Sequence, residues 1–145
     1  MMNIKLRVAN LVKKYATHNP YELSKDLNIT VMSLELPSSV RGFTVRVLRR
    51  KYIVLNAALP EHGKKVVLCH EIGHARLHPA SGYYYTLTGT YFIKSRKEAE
   101  ANEYAAYVLS YSSDVDPGLL SKIIRGKQPN PRLVHQILSE LISPL

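Results

Sequence analysis

His70-Glu71-Ile72-Gly73-His74 is the segment whose residue types and spacing could do chemistry. Two histidines at i and i+4 lie on one face of a helix, one turn apart, so both imidazoles can reach one tetrahedral Zn2+. Glu71 follows the first histidine and can lean over the open side of such an ion, where it can take a proton from water. The motif sits just after Val66-Val67-Leu68, in the most apolar predicted helix, where unpaired ionisable groups are costly. A chance pentapeptide on an amphipathic helix is therefore the weaker explanation.

A third protein ligand is required. His78 continues the four-residue spacing, but His70 and His78 are about 12 Å apart along an intact helix, too far for one ion. His78 is expected at the helix end or as a hydrogen-bonding support. Six residues after His74 stands Ala80, which excludes the metzincin pattern. The later run Lys97-Glu98-Ala99-Glu100-Ala101-Asn102-Glu103 offers three glutamates. Its apolar stripe is Ala101, Tyr104, Ala105, Val108 and Leu109. At about 100° per residue Glu98 projects inside that stripe, Glu100 roughly 120° from its middle, and Glu103 nearly opposite. A carboxylate in a buried stripe needs a partner, which favours Glu98 as the ligand, with Glu100 as the alternative. Asn102, one turn beyond Glu98, can hydrogen-bond a ligand histidine.

With Leu77-His78, the motif resembles the H-E-[LI]-G-H…L-H sequence of the ImmA/IrrE family of metallopeptidases. Glu98-Ala99-Glu100-Ala101-Asn102-Glu103-Tyr104-Ala105-Ala106 is similar to that family's E-x-E-A-N-x-F-A-A helix, with Tyr104 in place of Phe. Gly42 followed by a hairpin ending Ile53-Val54-Leu55-Asn56 also fits. The resemblance spans roughly residues 20 to 110. It implies a gluzincin-like domain with zinc on His70, His74 and Glu98, and Glu71 as catalytic base. It also implies a zinc endopeptidase acting on a helix-turn-helix repressor of a phage, mobile element or stress response. The chain departs from the family pattern in Val108-Leu109-Ser110-Tyr111-Ser112-Ser113, which lacks the usual L-L-x-P ending. It carries no recognisable DNA-reading module, so a repressor substrate is expected to be another polypeptide. The alternatives are a non-catalytic zinc-containing binding module and the toxin of a toxin–antitoxin pair. Glu71 argues for the enzyme, because a structural site needs no base.

Other candidates have simpler roles. Gly73 permits close packing against the glutamate helix, and Cys69 is expected to be a small buried apolar residue. Tyr83, Tyr84, Tyr85 and Tyr91 suit packing or a substrate rim, and nothing singles out one of them to stabilise an oxyanion. His62 and His135 have no spacing that ties them to the metal.

These residues need elements to hold them. Helices are expected from Ile4 to Ala16 and Tyr21 to Leu27, and a strand from Ile29 to Leu36. Two hairpin strands should run from Gly42 to Leu48 and from Tyr52 to Leu55, joined at Arg49-Arg50-Lys51, with Phe43, Val45 and Val47 on one face. The Phe43–Leu48 strand could offer an edge to a substrate strand. The metal helix spans Pro60 to Leu77, and Ser81 to Thr90 reads as irregular. The glutamate helix spans Arg96 to Ser110, and closing helices run from Pro117 to Ile124 and Pro131 to Ile142. The expected architecture is α+β, with N-terminal helices, a small antiparallel sheet, the metal helix and C-terminal helices in a single domain over residues 1–145.

Composition narrows the function classes. The chain has 145 residues, 46% hydrophobic and 21% charged, which is ordinary globular material rather than a disordered chain. No apolar run approaches membrane-spanning length, and Met1 to Arg7 alternates apolar and charged residues, unlike a signal peptide. One cysteine rules out an internal disulfide and cysteine-based zinc fingers, and fits a cytoplasmic setting. The net charge of +9 invites a nucleic-acid partner. The cations are dispersed, however, with only Arg46 to Lys51 dense, so a solvated surface is the simpler expectation.

Overall fold

The computed structural model describes residues 2–78, 84–87, 96–113, 116, 118, 121 and 130–142. Helix α1 (Ile4–Tyr15) is capped by Asn3, whose side chain accepts from the Leu6 amide at 3.0 Å. Asn19 caps α2 (Pro20–Asp26) in the same way, with Pro20 in its first turn. Both caps satisfy amides that a helix start leaves without intrahelical partners. Strands β1 (Ile29–Leu34), β2 (Val40–Val47) and β3 (Arg50–Asn56) precede the long helix α3 (Glu61–Leu77). Strand β4 (Tyr84–Leu87), α4 (Arg96–Leu109) and α5 (Pro131–Ile142) follow. The helix expected from Pro117 to Ile124 falls almost wholly outside the described residues.

The sheet order is β1-β3-β2-β4. β2 and β3 form the expected antiparallel hairpin, but β1 runs parallel to β3, so the sheet is mixed rather than antiparallel. β3 is the buried strand, with Ile53, Val54 and Leu55 all sequestered. A strand apolar on both faces favours a neighbour on each edge, and β1 takes the edge that β2 leaves. Within the stretch expected to be irregular, Tyr84–Leu87 forms β4, antiparallel to β2 along Val40–Thr44. That pairing occupies part of the β2 edge expected to receive a substrate strand. The hairpin turn is also displaced. Val47 pairs with Arg50, so the two-residue loop is Leu48-Arg49.

α3 lies between the sheet and α4, and every residue from Val66 to Ala75 is buried. The inward face of β2 is the one carrying Gly42 and Thr44, opposite Phe43 and Val45. A Cβ at Gly42 would stand 2.7 Å from the Val54 carbonyl oxygen and 2.9 Å from a Val67 methyl, so the bare backbone lets α3 approach the sheet. On its other side α3 meets α4 at Gly73. A Cβ there would come within 3.0 Å of Tyr104 Cβ and 3.2 Å of the Ala101 backbone. This close packing, anticipated for Gly73, brings the glutamates of α4 up to the histidines of α3. α4 also packs on α1 and α5, whose Val8, Leu11, Val134 and Leu138 complete the core.

Candidate metal centre

Three heteroatoms form a nearly equilateral triangle between α3 and α4. Glu98 Oε2 lies 3.0 Å from His70 Nε2 and 3.0 Å from His74 Nε2, and the two ring nitrogens are 3.1 Å apart. Hydrogen bonds alone cannot satisfy all three edges, because each Nε2 carries at most one hydrogen and a carboxylate carries none. A cation facing all three can satisfy them together. Ligands about 2.0–2.1 Å from a tetrahedral zinc lie about 3.3 Å from each other, so the triangle is close to the required size. The donor set of two imidazoles and one carboxylate suits zinc and leaves a fourth position open. Glu71 also borders the centre, since the nearest ligand atoms of His70, Glu71 and His74 all lie within 4.8 Å of one another.

The electrostatics favour a carboxylate facing neutral His74. For Glu98, burial works against ionisation, but contacts with His70 and His74 outweigh it and hold its pKa well below the usual range. His74 is pushed down to about 4, first by burial and then by the neighbouring His70 and His78 charges, against the pull of Glu98. Burial also disfavours charge on His70. There the hydrogen bond to Glu98, the charges of Glu71 and Glu98, and a hydrogen bond to Asn102 prevail, and its pKa is raised. Asn102 thus supports a motif histidine, as its position one turn beyond Glu98 suggested.

Glu71 is fully buried. The Thr44 hydroxyl of β2 stands 3.4 Å from its Oε2 and 3.3 Å from its backbone oxygen, and its single proton can serve either. Sequence reasoning missed Thr44. Its signal was the alternation along β2, but the apolar Phe43, Val45 and Val47 lie on the opposite face from the one that meets α3.

A second polar cluster continues along the same helices. His78 caps the end of α3, its amide donating to the His74 carbonyl at 2.8 Å. Its Nδ1 is 3.2 Å from His74 Nδ1, and its Nε2 is 2.9 Å from Glu100 Oε1. Arg96 approaches the other Glu100 oxygen at 3.6 Å. Glu100, the alternative ligand, therefore serves His78 rather than the triangle. Cys69 is buried as expected, and burial pushes its thiol up to about 12. Of the tyrosines considered, Tyr84 and Tyr85 belong to β4, while Tyr83 and Tyr91 lie outside the described residues.

Residues 24–112 match Peptidase M78, the IrrE N-terminal-like domain. The chain belongs to this family. That stretch contains α3, α4 and the sheet between which the triangle and Glu71 are held, and membership supports a metallopeptidase-type role. A relative from Bacillus phage phi105, "Uncharacterized immunity region protein 2", is 41% identical over 106 residues, covering 73% of this chain and 67% of its own length. No solved structure gives a significant match. Among the described residues, no helix is long and apolar enough to cross a membrane.

Proposed function

We propose that this family member is a zinc endopeptidase whose substrate is a helix-turn-helix repressor, with His70, His74 and Glu98 as the metal ligands and Glu71 as the base. The observation that carries the proposal is the three-way contact of His70, His74 and Glu98 beside a fully buried Glu71. Zinc held there would supply an acidified water and a positive charge for the peptide carbonyl. Glu71 would take a proton from water as the water oxygen bonds to the peptide carbonyl carbon, and would return that proton to the amide nitrogen as the C–N bond breaks, so that one water is added across the bond. Thr44 restrains the Glu71 carboxylate during both transfers. For His74 Nε2 to offer its lone pair, its hydrogen must sit on Nδ1, where it is donated to His78 Nδ1. The His78 hydrogen then sits on Nε2 and is donated to Glu100. This relay fixes both the tautomer and the orientation of His74.

β4 is the outermost strand beside β2, which supports an extended substrate segment pairing along β4 through its backbone. The repressor assignment rests on what the ImmA/IrrE resemblance implies, and the name of the phage immunity-region relative fits it. A cytoplasmic location is consistent with such a substrate.

The test co-expresses the protein with any helix-turn-helix repressor found in a neighbouring reading frame, comparing wild type with Glu71→Gln. Wild type should shorten the repressor and derepress its promoter. Glu71→Gln should retain zinc and lower cleavage by about 10²–10⁴-fold. Equal derepression by both forms with an intact repressor would replace the peptidase with a binding module.

A further inference from the structure

The β2–β3 hairpin tip combines three features that do nothing to stabilise the fold. Leu48 is 92% exposed, an unusual place for a large apolar side chain at the end of a ribbon. Its φ of 58° lies in the left-handed region, and it is the first residue of a two-residue loop, where type II′ turns carry glycine. A leucine there carries backbone strain that glycine would not. Next to the loop, Arg46 and Lys51 are direct cross-strand partners, and like charges in that relation repel. Strain, exposure and repulsion gathered at one point, with nothing in the fold that they serve, mark a surface kept for contact.

The charge pattern identifies the partner's chemistry. Between Glu35 and Glu61 there is no acidic residue, while Arg41, Arg46, Arg49, Arg50 and Lys51 are all basic. Among the described residues, none of the four cations at the tip has a salt bridge. Their field extends beyond the hairpin. After burial, the charges of Arg46 and Arg76 are what lower the Lys51 pKa, and Arg76 shares a cleft with Arg7 and Lys14 of α1. A basic band therefore runs from the hairpin tip across the end of α3 to α1.

We propose that this band binds duplex DNA, with the Arg46–Lys51 hairpin tip entering a groove, its arginines on phosphates and Leu48 making the apolar contact. A two-stranded ribbon fits a major groove, and arginine's planar fork matches phosphate. In that groove the apolar contact open to Leu48 is the thymine methyl group. A membrane is the poorer fit, because Val47 and Leu48 are the large apolar residues exposed at the tip, and two such residues give little area for anchorage. The proposal stands apart from peptide cleavage, so the two fail separately. They are also compatible. Thr44, which holds Glu71, is four residues from Leu48 along β2, or about 13 Å.

The experiment measures fluorescence anisotropy of a labelled 20-bp duplex with the full chain, from 50 to 200 mM salt. Wild type should bind with a steep salt dependence. Arg49→Gln with Arg50→Gln should weaken binding about tenfold and reduce the salt slope by about two. Leu48→Gly should keep the slope and weaken binding several-fold. Lys64→Gln with Lys65→Gln removes the same charge about 17 Å from Arg76 along α3, outside the band, and should change neither quantity. No binding by wild type at 50 mM salt overturns the proposal. So does equal weakening by the α3 pair, which would mean that net charge alone attracts DNA. Displacement of DNA by an equal charge concentration of poly-glutamate assigns the band to an acidic protein instead. Preferential capture by phosphatidylserine vesicles assigns it to a membrane. Undiminished binding by Leu48→Gly overturns the apolar contact.

Discussion

The α3–α4 interface and the β2–β3 hairpin tip both hold groups that are expensive where they stand, and they manage the expense in opposite ways. In the interface, His70, His74 and Glu71 are buried among polar partners, and a cation would complete the contacts that hydrogen bonds leave unmade. At the tip, Leu48 is exposed and strained, and the neighbouring cations face each other without a salt bridge to a carboxylate among the described residues. A buried polar cluster must be satisfied by the groups around it or by an ion held among them, because bulk water does not reach it. An exposed cluster can stay unsatisfied until a partner arrives. Substitutions in the first region should therefore damage the protein's own chemistry, and substitutions in the second should leave the fold intact or improve it.

The sharpest test of the first half concerns which glutamate holds the metal. Glu98→Ala removes one corner of the triangle and should lower zinc affinity by more than about 100-fold, beyond the usual effect of changing a residue that only supports a ligand. Glu100→Ala leaves the triangle complete. It should cost about 10–100-fold by releasing His78, and His78→Ala should do the same. Competition with a chelating dye reads all three. Glu100→Gln still accepts from His78 Nε2 and should restore most of the loss, which a general packing defect would not allow. Cobalt substitution adds a spectroscopic check, since a loosened His74 should alter the visible absorption bands in His78→Ala but not in Glu100→Gln. If Glu100→Ala loses zinc and Glu98→Ala keeps it, the two clusters have exchanged roles and the triangle is not the metal centre.

The unequal legibility of the two regions in the sequence follows from the same contrast. α3 and α4 are amphipathic or buried helices, and a helix maps sequence position onto direction at a fixed angle. The wheel directs Glu98 and Glu100 of α4 differently, and the structure sends them to different histidines, Glu98 to His70 and His74 and Glu100 to His78; burial does not separate them, because Glu100 is the less exposed side chain, 14% against 28%. The sheet offered no equivalent rule. Which edge of β3 receives β1, and whether Tyr84–Leu87 pairs with β2, depend on contacts between distant segments. Thr44 was hidden because the inward face of β2 is made of Gly42 and Thr44, small enough for α3 to approach, and not of the more apolar Phe43, Val45 and Val47. The turn was misplaced because the residue with positive φ is a leucine. Glycine or asparagine at that position would have marked the loop.

The smallest expected effect tests the second half most directly. In Leu48→Gly the left-handed strain of about 1–2 kcal/mol disappears, while the greater freedom of glycine in the unfolded chain takes back about 0.4–1 kcal/mol. Little hydrophobic burial is lost, because the side chain is 92% exposed in the folded protein. The net should be a gain of up to about 1.6 kcal/mol, a rise of a few degrees in Tm for a domain of this size. Leu48→Asn should gain at least as much, since asparagine tolerates the left-handed region without glycine's entropy. Chemical and thermal unfolding of the metal-free protein measure both, so that zinc binding does not mask so small a change. A loss of stability in both variants would mean that Leu48 contributes to the fold itself, and the tip would then resemble the interface it is contrasted with. A gain in stability together with weakened DNA binding would mean that the strain at Leu48 is kept for contact.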